Sequence, residues 1–81
     1  MISVPDEQLN VPYIELGMYQ HYKGNKYEVI GMALDSENLQ PTVIYKPLYD
    51  SKVALWARPY DMFTSTVRIE GVDTPRFKKV S

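Results

Sequence analysis

Met18-Tyr19-Gln20-His21-Tyr22-Lys23-Gly24-Asn25-Lys26-Tyr27-Glu28-Val29-Ile30-Gly31-Met32-Ala33-Leu34 is the stretch on which the fold turns. It opens with a short aromatic run, Met18 to Tyr22. Lys23-Gly24-Asn25 follows, a triplet that reverses the chain because Gly and Asn accept positive φ. Lys26 to Leu34 then alternates as a strand does. The period of two places Tyr27, Val29, Gly31 and Ala33 on one face and Lys26, Glu28, Ile30, Met32 and Leu34 on the other. This is a hairpin closed across Tyr22–Tyr27. Apolar residues on both faces suggest a strand covered on both sides for part of its length. Gly31 in its middle predicts a bulge or bend, the device that curls a small sheet.

The same signals continue on either side. A polar loop, Asp35 to Pro41, leads into the β-branched and aromatic run Thr42 to Leu48, which Pro47 ends or places at an edge. After a turn at Tyr49 to Lys52, Val53 to Ala57 returns as a strand carrying the chain's one tryptophan, and Arg58-Pro59 stops it. Pro59 to Phe63 predicts one helical turn that folds Met62 and Phe63 onto the core. Ser65 to Glu70 alternates, with Val67 and Ile69 inward. Gly71 turns the chain, and Arg76 to Val80 forms a last short strand. Before all of this, Pro5 and Pro12 interrupt a leader that reads as extended or weakly ordered from Met1 to Val11. Val11 to Leu16 docks as an edge segment in this reading, with a short helix over Asp6 to Val11 as the competing one.

Five to six short strands, one helical turn and no long helix describe a mostly β domain. The expected form is a small, strongly bent sheet or an SH3-like barrel, since a sandwich needs about a hundred residues. The 81 residues divide into an acidic leader, 1–15, and a single domain, 16–81. A chain this short buries about 60% of its unfolded surface around one core. With 44% apolar, 12% aromatic and 23% charged residues, it has the composition of a folded domain rather than a tail.

Charge and composition exclude several kinds of function. The net charge is −1. Asp6, Glu7 and Glu15 make the leader acidic, which leaves nine basic against seven acidic residues in the rest. Nothing in that balance calls for a whole-chain polyanion binder. Without cysteine there is no disulfide framework, thiolate metal site or cysteine nucleophile, and a single histidine makes no multi-histidine centre. The four glycines stand singly, so no phosphate-cradling loop is expected, nor any cofactor. No run reaches membrane-spanning length and no signal segment opens the chain; a cytoplasmic protein without membrane association is the expectation.

One family resemblance rests on particular residues. The opening Met18-Tyr19-Gln20-His21-Tyr22-Lys23-Gly24-Asn25-Lys26-Tyr27-Glu28-Val29 resembles that of the bacterial domain-of-unknown-function family 1653. So do Ser36-Glu37, Val43-Ile44-Tyr45, Leu48-Tyr49, Leu55-Trp56-Ala57-Arg58-Pro59, Met62-Phe63, Gly71 and Pro75-Arg76-Phe77. The resemblance runs in order from about residue 16 to 80. Asp35 stands where the family usually shows a histidine. What the resemblance implies is a compact bacterial β domain, found alone or attached to others. It brings no established activity or catalytic residue.

The residues that could do chemistry are present without being assembled into a motif. His21, Asp35 and Ser36 can be drawn as a triad, but no nucleophile elbow or oxyanion loop accompanies them, so no catalytic residue is expected. His21 reads as a surface or internally satisfied histidine, and Asp35-Ser36-Glu37 as loop chemistry. The aromatics are more informative. Phe63, Phe77 and Tyr27 are the expected core rings. Tyr22, Tyr45, Tyr49, Trp56 and Tyr60 are candidates for a half-exposed patch, because a tyrosine hydroxyl must be satisfied. Arg58 pairs with Asp61 across the turn or rims an aromatic groove.

The binding set read from the sequence is therefore Tyr22, Tyr45, Tyr49, Trp56, Arg58 and Arg76. The leading expectation is a non-catalytic binding or accessory module for a protein or peptide partner, a second copy of the chain included. One alternative is a barrel that stacks single-stranded nucleic acid. It would require Lys46, Arg58, Arg68, Arg76, Lys78 and Lys79 to converge on one face. A second is a small-molecule-binding or regulatory domain of an enzyme.

Overall fold

The computed structural model describes residues 4–81; residues 1–3 of the leader lie outside it. Seven strands form: β1 (Gly17–His21), β2 (Lys26–Leu34), β3 (Pro41–Pro47), β4 (Trp56–Pro59), β5 (Thr66–Ile69), β6 (Val72–Pro75) and β7 (Phe77–Lys79), with a one-turn helix α1 (Tyr60–Phe63). Five strands make an antiparallel sheet in the order β4-β3-β2-β1-β7, and β5-β6 stand apart as a hairpin. Both sheets are open. The domain is mostly β as expected, and neither sheet is closed into the expected barrel.

The β1–β2 hairpin expected across Tyr22–Tyr27 is present. His21 N–H donates to the Asn25 carbonyl and Gly24 N–H to the His21 carbonyl, with Gly24 at φ +115°. The bulge is present too, and it changes the facing of β2. Val29 pairs with Tyr45 and Gly31 with Ile44, so Ile30 is the surplus residue. Beyond it the phase is inverted: Met32 lies opposite Val43 and packs on the core, while Ala33 is exposed. Plain alternation put these two residues on the wrong faces. The apolar residues on both nominal faces are thus a product of the bulge, which turns Met32 inward with Tyr27 and Val29.

One face of the five-stranded sheet holds the core. Val29, Val43, Tyr45, Tyr19 and Phe77 line it, and α1 lays Phe63 across them. The rings of Phe63 and Phe77 stack 4.1 Å apart, and Tyr19 and Tyr45 meet Phe63 edge-on at 5.5 and 5.2 Å. Aromatic pairs at these separations contribute beyond their buried area. Phe63 and Phe77 are core residues as expected, with Tyr27 packed half-buried against them. Met62 is not: it is 48% exposed, because one turn of helix presents only one of two successive side chains to the sheet.

Other boundaries moved for local reasons. β4 begins at Trp56 rather than Val53, since Val53 N–H is taken by the Ser51 hydroxyl in a turn of its own. The strand then runs through Arg58 and Pro59 instead of stopping there. Glu70 (φ +50°) and Gly71 (φ +79°) close a tight hairpin and start β6, a strand whose Asp73 and Pro75 hid it from propensity. That hairpin projects from the main sheet, so Ile69 is exposed rather than inward. Among the described residues of the leader there is a single 3-10 turn, Asp6–Gln8, and Ile14 packs on the core. The Tyr19 hydroxyl donates to the Glu15 carbonyl at 2.8 Å.

Candidate functional site

Register places the site. Opposed residues of an antiparallel ladder share a face, so His21, opposite Phe77, lies on the core side with Tyr19 and Tyr27. Tyr45 opposite Trp56, and Val43 opposite Arg58, carry that side to the β4 edge. Where this face runs past α1 it is left uncovered. There it forms a cleft of about 210 Å³ to which all five strands contribute: His21, Tyr27, Tyr45, Trp56, Arg58 and Phe77, with Lys23 and Asn25 from the β1–β2 turn.

The floor is aromatic. Tyr27 meets Tyr45 and Phe77 edge-on at 5.3 and 5.8 Å, and His21 meets Phe77 at 4.9 Å. Trp56 forms a rim and remains 42% exposed. Arg58 reaches over this floor, its guanidinium carbon 5.6 Å from the Phe77 ring centroid, and its Nε donates to the Tyr45 hydroxyl at 3.2 Å. This bond changes the part expected of Tyr45. The ring is 3% exposed and belongs to the core, because Arg58 satisfies the hydroxyl that would otherwise have kept it at the surface. The brace between Arg58 and Asp61 does not form; Arg58 turns to Tyr45 instead, and Asp61 is exposed.

The polar groups have a defined arrangement. His21 Nδ1 accepts the Lys23 backbone N–H at 3.1 Å, which leaves Nε2 as the protonated, donating nitrogen of the neutral ring. Burial lowers the His21 pKa below its usual 6.5, and the charges of Arg58, Lys23 and Arg76 lower it further. Tyr27 is shifted the other way, up to about 12, by burial and by its hydroxyl contact with Tyr49 at 3.1 Å. No acidic side chain lines the cleft. Its polar equipment is cationic or neutral, and its donors outnumber its acceptors.

Of the six binding residues read from the sequence, Tyr45, Trp56 and Arg58 line the cleft. Tyr22, Tyr49 and Arg76 stand behind it. Tyr22 lies tilted against His21 at 4.4 Å with Lys23 above its ring, Tyr49 holds Tyr27, and Arg76 Nε donates to Ser65 Oγ at the base of the β5–β6 hairpin. Tyr60 packs half-buried against the core. Sequence reasoning missed His21, Lys23 and Asn25, and gave Tyr27 and Phe77 to the core alone. The signal was available in the hairpin itself: once Tyr19 faces inward, His21 two residues on does so as well.

The other groups weighed from the sequence do not converge. Asp35 Oδ1 caps the Glu37 N–H in a loop beyond the far end of β2, roughly 25 Å of strand from His21. Lys46 and Lys78 lie on the opposite face of the sheet, in register with Glu28 and Gln20, and Arg68 pairs with Asp73 at 3.0 Å on the hairpin. Among the described residues no three His, Cys, Asp or Glu side chains gather as metal ligands would, and no helix is long and apolar enough to cross a membrane.

A comparison with curated proteins gives no match. Among solved structures, the chain is similar to that of a DUF1653 protein from Bordetella bronchiseptica. The two share 31% identity and a TM-score of 0.77, over 83% of this chain and 87% of the other. The family model described as "Protein of unknown function (DUF1653)" matches residues 17–79, from the first residue of β1 to the last of β7. That span takes in every strand and each residue of the cleft, and by it the chain belongs to the DUF1653 family.

Proposed function

We propose that this domain is a non-catalytic binding module that seats one side chain of a protein or peptide partner in the cleft beneath Trp56 and Arg58. The observation carrying this reading is the cleft's size together with its lining. Small-molecule and cofactor sites run to about 300–1,000 Å³. A volume of about 210 Å³, floored by four aromatic rings and rimmed by an arginine and a half-exposed tryptophan, fits a single large side chain better. Tyrosine, tryptophan and arginine are also the residue types that carry most of the binding energy in protein interfaces. The dispersal of Lys46, Arg68 and Lys78 away from Arg58 weighs against a phosphate-tracking surface.

Trp56 is the one tryptophan in the chain, so its fluorescence reports on the cleft directly. The test uses octapeptides with every combination of Trp, Tyr, Leu, Pro, Glu, Gln and Lys at the three central positions, displayed as an array and probed with the wild type and with Trp56→Ala. Selected binders are then titrated in solution. The expected result is a set of peptides bound by the wild type, lost by the variant, and saturably shifting Trp56 emission. An array on which the two proteins behave alike refutes the reading. Binding of single-stranded oligonucleotides at physiological salt, with no peptide bound, replaces it with the nucleic-acid alternative.

A further inference from the structure

The cleft also indicates which side chain it takes. Four observations on its charge and geometry converge. No acid lines it, whereas Arg58 and Lys23 do. Arg58 spends Nε on the Tyr45 hydroxyl, which fixes the guanidinium plane and leaves the Nη1/Nη2 edge without a hydrogen-bond partner among the described residues. The Lys23 N–H on Nδ1 sets His21 Nε2 as a donor within the same lining. The Asn25 side-chain amide hydrogen-bonds Tyr27 and keeps a second N–H for a ligand. An arginine so oriented offers the two parallel N–H bonds that match a carboxylate, and the aromatic walls reduce competition from water.

We propose that the occupant of the cleft is the carboxylate of an Asp or Glu side chain in an acidic peptide segment of the partner, received by the Nη edge of Arg58 beside His21 Nε2. This rests on the binding-module reading and adds to it the charge of the ligand. Opposite charge is what the site lacks, and the available volume takes one such side chain with its methylene stem against the aromatic lining. Lysine in place of Arg58 supplies charge without the fork, so the inference distinguishes shape from charge.

The experiment takes each peptide bound in the array that carries a glutamate, makes its Glu→Gln partner, and titrates both into wild-type protein by Trp56 fluorescence and by amide NMR shifts. The acidic peptide is expected to bind at least about tenfold more tightly than its amide partner, the lower end of the range for a hydrogen bond to a charged group. Arg58→Gln abolishes that preference and Arg58→Lys, which keeps the charge without the fork, weakens it, while Arg68→Gln, whose charge lies on the separate hairpin, preserves it. The wild-type comparison decides the matter even if the Arg58 variants fail to fold. Equal affinity for acid and amide overturns the carboxylate assignment and leaves the module reading standing. Array binders that are all neutral or basic do the same. If no peptide moves Trp56 at all, the module reading falls and the assignment with it.

Discussion

Replacing Phe63 with alanine should take away a large part of the domain's stability, while the same change at Met62, the adjacent residue, should cost almost nothing. Phe63 is 1% exposed, stacks on Phe77 at 4.1 Å and meets the edges of Tyr19 and Tyr45. Moving a fully buried phenylalanine out of water is worth about 1.5–3 kcal/mol. The cavity left behind and the lost ring contacts bring the expected cost of Phe63→Ala to about 3–5 kcal/mol. At roughly 0.05–0.15 kcal/mol per residue, 81 residues give a total stability of about 4–12 kcal/mol, so the variant approaches the unfolding threshold. Met62 is 48% exposed and lies on the outer side of α1, where truncation falls within about 0.5 kcal/mol. Urea unfolding followed by far-ultraviolet circular dichroism measures both changes against the wild type. A Phe63→Ala loss below about 1.5 kcal/mol, or equal losses at the two positions, would refute the view that this turn anchors the core through one ring. Phe63→Leu, which refills most of the space, should recover more than half of the deficit.

Three further outcomes can be checked with the same instruments. Gly17 sits at φ +129° with the Ser81 carbonyl 2.6 Å from where a Cβ would lie, so Gly17→Ala should cost more than about 1 kcal/mol and loosen the β1 contact with the chain end; an unchanged urea midpoint would contradict this. His21 has a lowered pKa in the folded state, which means the unfolded chain binds its proton first as pH falls. Stability should therefore hold above about pH 6.5 and decline below it until the folded ring also protonates. His21→Gln should flatten that decline, and a slope that survives the substitution would exclude His21 as its source. Tyr27, carried to about 12, works in the opposite range: the unfolded chain ionises it near the ordinary value of 10, so stability falls as pH rises from there towards 12. Tyr27→Phe should remove the last phenol to ionise in a spectrophotometric titration of the folded protein.

Much of the fold could be read from the chain because its signals are local. Lys23-Gly24-Asn25 makes its turn from conformational preference alone, and the run from Thr42 to Pro47 pairs as its β-branched residues suggest. What resisted reading depended on partners distant in sequence. Tyr45 was expected at the surface because a buried phenol needs an acceptor or donor, and its donor, Arg58, is thirteen residues away. Val72–Pro75 forms a strand because Glu70 and Gly71 fold it back on β5, overriding a poor composition. The aromatic–arginine grouping was legible in outline, since Tyr45, Trp56 and Arg58 share the cleft. His21 entered it only through the register that sets it beside Phe77.

Ile30 illustrates a different kind of contribution. If it is removed on paper, the residues that follow keep their faces and partners: Gly31 still meets Ile44, Met32 still meets Val43, and β2 becomes an unbroken strand of ordinary pleat. Ile30 is thus unnecessary to the pairing. It lengthens one side of the β2–β3 ribbon by a single step, and a ribbon with unequal sides must coil. The bulge adjoins the Val29–Tyr45 pair, and Tyr45 is one of the residues that line the cleft. A shortened chain without Ile30 should fold with its ladder complete and its hollow shallower. In such a chain the ladder and the hollow would part company, with strand length rather than side-chain identity setting the depth of the cleft.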